Sequence, residues 1–358
     1  MKLSKLPYLV QQEVLNNMAY PHLFLLSFVS KNMKELIKSS QIARFKSIVH
    51  IAYDCTGKDQ PKIDVFYKEG WDQIVRVVEE VANTDSFQLN VSGKLIDFRL
   101  SENVYLRNSP IASVVPSQKE SVIKSIHEYF LGFFGDSVKY RWETDDWEFL
   151  LVQLQNVSYC FRIDSINSGV ANIQQLEHFV ASNPVFKRIE VYARIDTIEF
   201  SPESKFYEAE SMKVDQNEHT FPEVLRHFQG RHAFIRCRYC EISELIKFVN
   251  KWKTGGAFQK LEYLKIRIRS VDEGLPQDEI LNGIGAKYVD AAKSPPTHVL
   301  PKVYLEYSYS KPNTDRINSH TYVVRETDNH VASIRIFGKT LWFGVWNKTE
   351  DQFLGMMD

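Results

Sequence analysis

The stretch KLSKLPYLVQQEVLNNMAYPHLFLLSFVSKNMKELIKSSQIARF, residues 2–45, decides how the chain is read. It divides into three short helical patterns. Pro7 suits the first turn of a helix, because its missing N–H would have had no partner there. Val10, Val14 and Met18 follow at i, i+4 and i+8, with Leu15 beside them, as one apolar stripe. Tyr20-Pro21 restarts the chain, and residues 22–29 are apolar almost all round, so that helix must be covered on several sides. Ser30 is placed to cap a third helix, in which Met33, Leu36 and Ile37 share a face. Three helices of about ten residues each hold too little core to fold alone. The unit is expected to lean on a partner or on the chain that follows.

Around it, the bulk numbers describe an ordinary globular chain. A length of 358 residues accommodates a small helical unit, 1–45, and one large body, 46–358. Hydrophobic content of 44% and charged content of 25% are those of a folded soluble protein. A net charge of −1 gives no global field toward nucleic acid or an anionic membrane, so neither is expected as a partner. No basic, then apolar leader opens the sequence, and no apolar run reaches about 18 residues. Secretion and membrane spanning are therefore not expected. The four cysteines, Cys55, Cys160, Cys237 and Cys240, are too few and too scattered for a disulfide framework. Reduced thiols in the cytoplasm or nucleus are expected.

In the body, residues 47–53 and 62–67 read as strands. Trp71, Ile74, Val75, Val78 and Val81 lie at helical spacing and predict an amphipathic helix. Residues 87–91 and 94–99 read as strands about a Ser92-Gly93 turn. Ser117 and Glu120 have the spacing of a capping box, opening a helix that buries Val122, Ile123, Ile126 and Phe130. Val138, Tyr140 and Trp142 alternate as a strand. From Tyr159 the pattern repeats: strand at Phe161 and Ile163, helix at Ile173, Leu176, Phe179 and Val180, strand at Ile189 and Val191. Again there is a strand at 234–238, a helix from Ile242 to Trp252 and a strand at Leu264, Ile266 and Ile268. Strand-to-strand spacing is 28 residues from 163 to 191, 31 from 235 to 266, and 26 for the earlier pair from 65 to 91. Recurring strand–helix–strand units of this length predict stacked, parallel βα units, clearest over 159–270. Segment 201–222 reads as a loop or insertion, 270–300 as a weak helix and a long connection, and the end as strands at 302–309, 322–325, 332–337 and 341–346. Gly338-Lys339 suits a type II′ hairpin turn between the last two. The fold class is thus α+β or mixed: three N-terminal helices, an irregular repeat-like α/β body, and a C-terminal β-hairpin.

Two constellations merit weighing. Cys237-x-x-Cys240 with His227 and His232 has four metal-ligand types, but only four residues separate His232 from Cys237, where a zinc finger leaves about a dozen. The favoured reading is structural, with no metal and no cofactor. On the strands, alternation sends Arg236 and Arg238 outward if Ile235 and Cys237 point inward. Lys265, Arg267 and Arg269 then point outward opposite Leu264, Ile266 and Ile268. Arg188 and Arg194 have the same parity. These residues could form a basic strip for an acidic or phosphorylated protein segment, weighed against an ordinary solvated face. Neither a phosphate loop nor a nucleophile motif is found, so catalysis is not expected.

Three resemblances join these readings. Leu6-Pro7, Val14-Leu15, Leu23 to Leu26, Phe28-Val29-Ser30-Lys31 and Leu36-Ile37 resemble the F-box over roughly residues 3–44, in the variant of the large nematode family of F-box proteins. Met33 replaces a common Trp, and the usual acidic residue after Leu-Pro is missing. Ile235-Arg-Cys237-Arg-Tyr-Cys240-Glu-Ile242 fits half of a leucine-rich repeat, and residues 332–337 with 342–346 are similar to the F-box-associated domain of the same proteins. The resemblance implies a non-catalytic substrate receptor of a Skp–cullin–F-box ubiquitin ligase. It would bind a Skp-type adaptor, and through it a cullin, by Leu6, Pro7, Val14, Leu25, Met33 and Ile37. The alternative is a scaffold whose helices bind another partner or simply pack on the body.

Overall fold

A computed structural model describes residues 3–57, 61–79, 85–101, 109–147, 151–164, 173–193, 200–216, 222–269, 274–301, 303 and 314–357. The chain forms two compact units, Met1–Cys160 and Phe161–Asp358.

The first unit opens with α1 (Tyr8–Asn16), α2 (Tyr20–Leu26), α3 (Lys31–Ser40) and a fourth short helix, α4 (Ile42–Lys46), where three were expected. The strands β1 (Ile48–Cys55), β2 (Lys62–Tyr67), β3 (Gly70–Glu79), β4 (Phe87–Val91), β5 (Lys94–Leu100) and β6 (Pro110–Val114) follow. After them come the long α5 (Lys119–Phe134) and β7 (Tyr140–Thr144). The sheet order is β7-β1-β2-β3-β6-β5-β4.

Three expectations are corrected here. Residues 70–79 are a strand, not a helix; Val81 lies outside the described residues. Val75 pairs with Ile63 but Gln73 pairs with Asp64, a β-bulge that leaves Ile74 unmatched. The bulge buries consecutive residues and so imitates helical spacing, while the β-branched run Ile74-Val75-Arg-Val77-Val78 favours the pleated sheet. Residues 110–114, to which the sequence assigned no element, are a strand parallel to β3. The capping box is not formed: Pro116–Gln118 makes a 3-10 turn, the helix begins at Lys119, and Glu120 reaches forward to Lys124 at 2.6 Å. The Ser92-Gly93 hairpin is present, with both residues at positive φ as a type I′ turn demands.

Strand β8 (Val157–Asp164) spans the boundary of the units. In the second unit come α6 (Ile173–Ser182), β9 (Arg188–Ala193), β10 (Ser211–Gln216), α7 (Pro222–His227), β11 (His232–Cys237), α8 (Ile242–Lys253), β12 (Tyr263–Ile268) and α9 (Gln277–Gly283). Short pieces β13 (Lys287–Tyr288), β14 (Thr297–His298) and β15 (Ile317–Asn318) precede β16 (Thr321–Val324), β17 (His330–Phe337), β18 (Thr340–Thr349) and a closing α10 (Glu350–Leu354). β9, β10, β11 and β12 are parallel neighbours in chain order. β18, β17 and β16 continue the sheet antiparallel from β12.

Segment 201–222 is therefore not simply a loop. It contains β10, whose register partners put Val214 between Val191 and Ile235. Only Met212 and Val214 are apolar on that strand, so its period-2 signal was too thin to read. The expected strand at 302–309 lies outside the described residues apart from Val303. Gly338 has φ +54, fitting the first position of the expected turn. One face of this sheet carries Ile189, Val214, Ile235, Ile266 and Phe343, and α8 seals it by setting Phe248 and Trp252 edge-on to Phe343, at 5.6 and 5.1 Å between ring centroids. At the other face, the β14–β15 pair lies close over Gly344, where any Cβ would stand 2.8 Å from His298 and Ile317.

Candidate functional site

The N-terminal helices belong to the core of the first unit, and α2 is the element that ties them in. Phe24 meets Phe98 of β5 and Tyr129 and Phe130 of α5, all edge-on. Phe28 stacks on Tyr129 at 4.4 Å, and the Tyr129 hydroxyl is bonded to Ser27 Oγ at 2.6 Å. Burial pushes the Tyr129 phenol up to about 12, keeping it neutral beside Ser27. Lys34 of α3 lies 3.9 Å from the same ring, and Phe45 packs on Phe133 and Phe134. At the start of α2, the Tyr20 N–H donates to Asp72 of β3 at 3.3 Å, so a carboxylate meets the positive end of that short helix.

The helices are locked to one another by polar staples. Ser30 accepts from the Met33 N–H at 3.1 Å, the cap expected from sequence. Arg44 reaches back to the carbonyls of Leu15, Asn16 and Met18 at the end of α1, where a cation suits the helix dipole. Its guanidinium also covers the Tyr20 ring at 4.3 Å.

This locking leaves α1 with an unburied face. Leu15 is its one buried residue. Pro7, Val10 and Val14 share a stripe at i, i+3 and i+7 and are all exposed; Tyr8 and Leu9 flank it at 53% and 76% exposure. Of the six residues singled out from sequence, Pro7 and Val14 lie on this surface, Leu6 and Leu25 are half-buried, and Met33 and Ile37 are inside. The last two hold α3 against its neighbours, so they would act through the shape of the unit. Tyr8 and Leu9 were not singled out, and Val10 was read only as part of the apolar stripe. The signal was there: an apolar run on a nine-residue helix that can bury only one face.

The basic strip is assembled in part. Arg236 and Arg267 are register partners, and Lys265 lies on the same face of β12. Arg238 and Arg269 follow the strand ends and are exposed; Arg194 lies outside the described residues. Arg236 and Arg269 both bind Asp215, and Lys265 binds Asp315 at 2.6 Å. At the other edge of this face, Glu190 is buried and held by Arg188 and Arg162. His232 and Cys237, five apart on one strand, point to opposite faces, and burial raises the Cys237 thiol to about 12. The four Cys and His side chains are thus not brought to one point.

Compared with known protein families, residues 3–45 match the F-box domain. No curated protein and no solved structure matches the chain. F-box domains bind Skp-type adaptors. Among the described residues, no helix is long and apolar enough to cross a membrane.

Proposed function

We propose that this chain is the substrate receptor of a Skp–cullin–F-box ubiquitin ligase, with α1 docking a Skp-type adaptor and the remainder recognising a protein substrate. The observation that supports it is the exposed stripe of Pro7, Val10 and Val14 within the segment that matches the F-box. The α2 face already has its partner in α5 and β3, and α1 does not. The protein catalyses nothing itself: it holds a substrate near ubiquitin-transfer machinery carried by the adaptor and cullin, in the cytoplasm or nucleus, and needs no cofactor. The run of parallel strands β9 to β12 supports a repeat-like recognition domain resembling leucine-rich repeats, and the β17–β18 hairpin supports kinship with nematode F-box-associated domains. The scaffold reading also has one point in its favour, namely that α2 packs on the body.

Co-elution separates the two. The full chain mixed with a purified Skp-type adaptor is expected to run as one complex in size exclusion. Replacing Leu6 and Pro7 together with alanine is expected to release the adaptor while leaving the melting temperature unchanged within a few degrees. A wild-type chain that fails to co-elute returns the protein to the scaffold class.

A further inference from the structure

We infer that the charged part of the sheet face across β11, β12, β18 and β17, beside the β14–β15 pair that covers Tyr263 and Gly344, docks an acidic segment of a substrate protein, its carboxylates on the basic strip and an apolar side chain against Phe337 and the exposed part of Trp342. This rests on the substrate-receptor reading above. Sequence alternation placed cations on β11 and β12; the structure extends that surface over two further strands. Lys265, Trp342 and Arg335 are successive register partners on one row, and Arg236, Arg267, Thr340 and Phe337 on the next. The Trp342 ring is flanked by two cations, Lys265 Nζ at 5.7 Å and the Arg335 guanidinium at 5.3 Å, and Arg335 lies 5.9 Å from Phe337. Phe337 is 71% exposed, a large apolar side chain left in water beside those cations.

Charge decides the kind of partner. Five cations, Arg236, Lys265, Arg267, Arg269 and Arg335, share this face; Asp215 binds two of them and Asp315 one. Among the described residues, no carboxylate pairs with Arg267. The two internal carboxylates also show how the face holds a guest. Asp215 accepts from both Arg236 and Arg269, whereas Asp315 accepts from Lys265 Nζ at 2.6 Å and the Trp342 indole N–H at 2.8 Å. Burial alone would raise the Asp315 carboxyl, but those two hydrogen bonds and Lys265 hold it below its ordinary value. Planar guanidiniums grip carboxylates by paired hydrogen bonds, and exposed aromatic rings beside cations accept apolar neighbours at little entropic cost.

The test is fluorescence anisotropy on the full chain with a labelled peptide of alternating Glu and Asp around one Phe. A Lys counterpart and a phosphoserine version of the same peptide serve as comparisons. The acidic peptide is expected to bind at least tenfold more tightly than its Lys counterpart and to weaken as salt rises from about 50 to 200 mM. Arg267→Glu with Arg335→Glu is expected to weaken it tenfold or more. Asp215→Asn, which removes the carboxylate charge shared by Arg236 and Arg269, is expected to strengthen it severalfold. Equal binding of the acidic and Lys peptides, unchanged affinity in the charge-reversed variant, or binding of the phosphoserine version alone would overturn the inference. Co-elution of each variant with the adaptor, run in parallel, reports on the receptor reading separately.

Discussion

Asp64 shows how one side chain sets a pH response. It sits on β2, buried, with Oδ1 unpaired, facing Asp54 of β1, Lys62 on its own strand, Arg76 of β3 and Glu143 of β7. Burial, aided by Asp54, lifts its carboxyl from 3.8 to about 7. Between those values the folded chain holds a proton that the unfolded chain has released. The group's contribution is therefore complete below about 4 and is lost as pH rises through about 7. Asp64→Asn, which cannot ionise, is expected to be more stable than wild type at pH 8, by up to about 4 kcal/mol, and nearly equal at pH 4. Melting curves at the two pH values decide it, and an equal difference at both would refute the assignment. At this scale the sequence was legible where the chemistry is local. Ser30 could be read as a cap because its acceptor and its target N–H are three residues apart. Ser117 could not be trusted in the same role, because Pro116 diverted the chain into a 3-10 turn. The burial of Asp64 depends on four strands meeting, which no spacing announces.

Among the elements, α2 carries the largest share of the link between helices and sheet. Phe24 is fully buried between β5 and α5, so Phe24→Ala is expected to cost about 3–5 kcal/mol in urea unfolding of the full chain. A loss under about 1 kcal/mol would mean that the aromatic seam is not what holds the helices. Gly344 is the counterpart in the second unit. Gly344→Ala would press on His298 and Ile317 at 2.8 Å and strain the His298 bond to the Val345 carbonyl, and is expected to destabilise by about 1–3 kcal/mol in thermal melts. The helices α5, α6 and α8 were legible because each presents one long apolar stripe to one sheet. β3 was not, since its bulge copies that stripe in a strand, and β10 was not, since it shows only two apolar residues to its neighbours. The parallel run β9 to β12 was therefore foreseen in kind but not in its number of strands.

At the scale of the whole molecule, residues 1–45 share the hydrophobic core of the unit ending at Cys160. Their removal would uncover Phe98, Tyr129, Phe130, Phe133 and Phe134. A chain of residues 46–358 is expected to bind a hydrophobic dye and to lose solubility, whereas surface changes on α1 are not. Sequence could show that the three helices needed a cover, but not that α2 would take it from the same chain and leave α1 open. That division follows from the long α5, whose aromatic face takes Phe24 of α2, Lys34 of α3 and Phe45 of α4. The most direct measurement is therefore calorimetric titration of a Skp-type adaptor into the full chain, wild type against Val10→Asp with Val14→Asp. Wild type is expected to bind, and the double variant to bind at least about thirtyfold more weakly, the worth of one buried anchor of about 2 kcal/mol, with an unchanged melting curve. Absence of binding by wild type, or equal affinity of the two, would contradict the account.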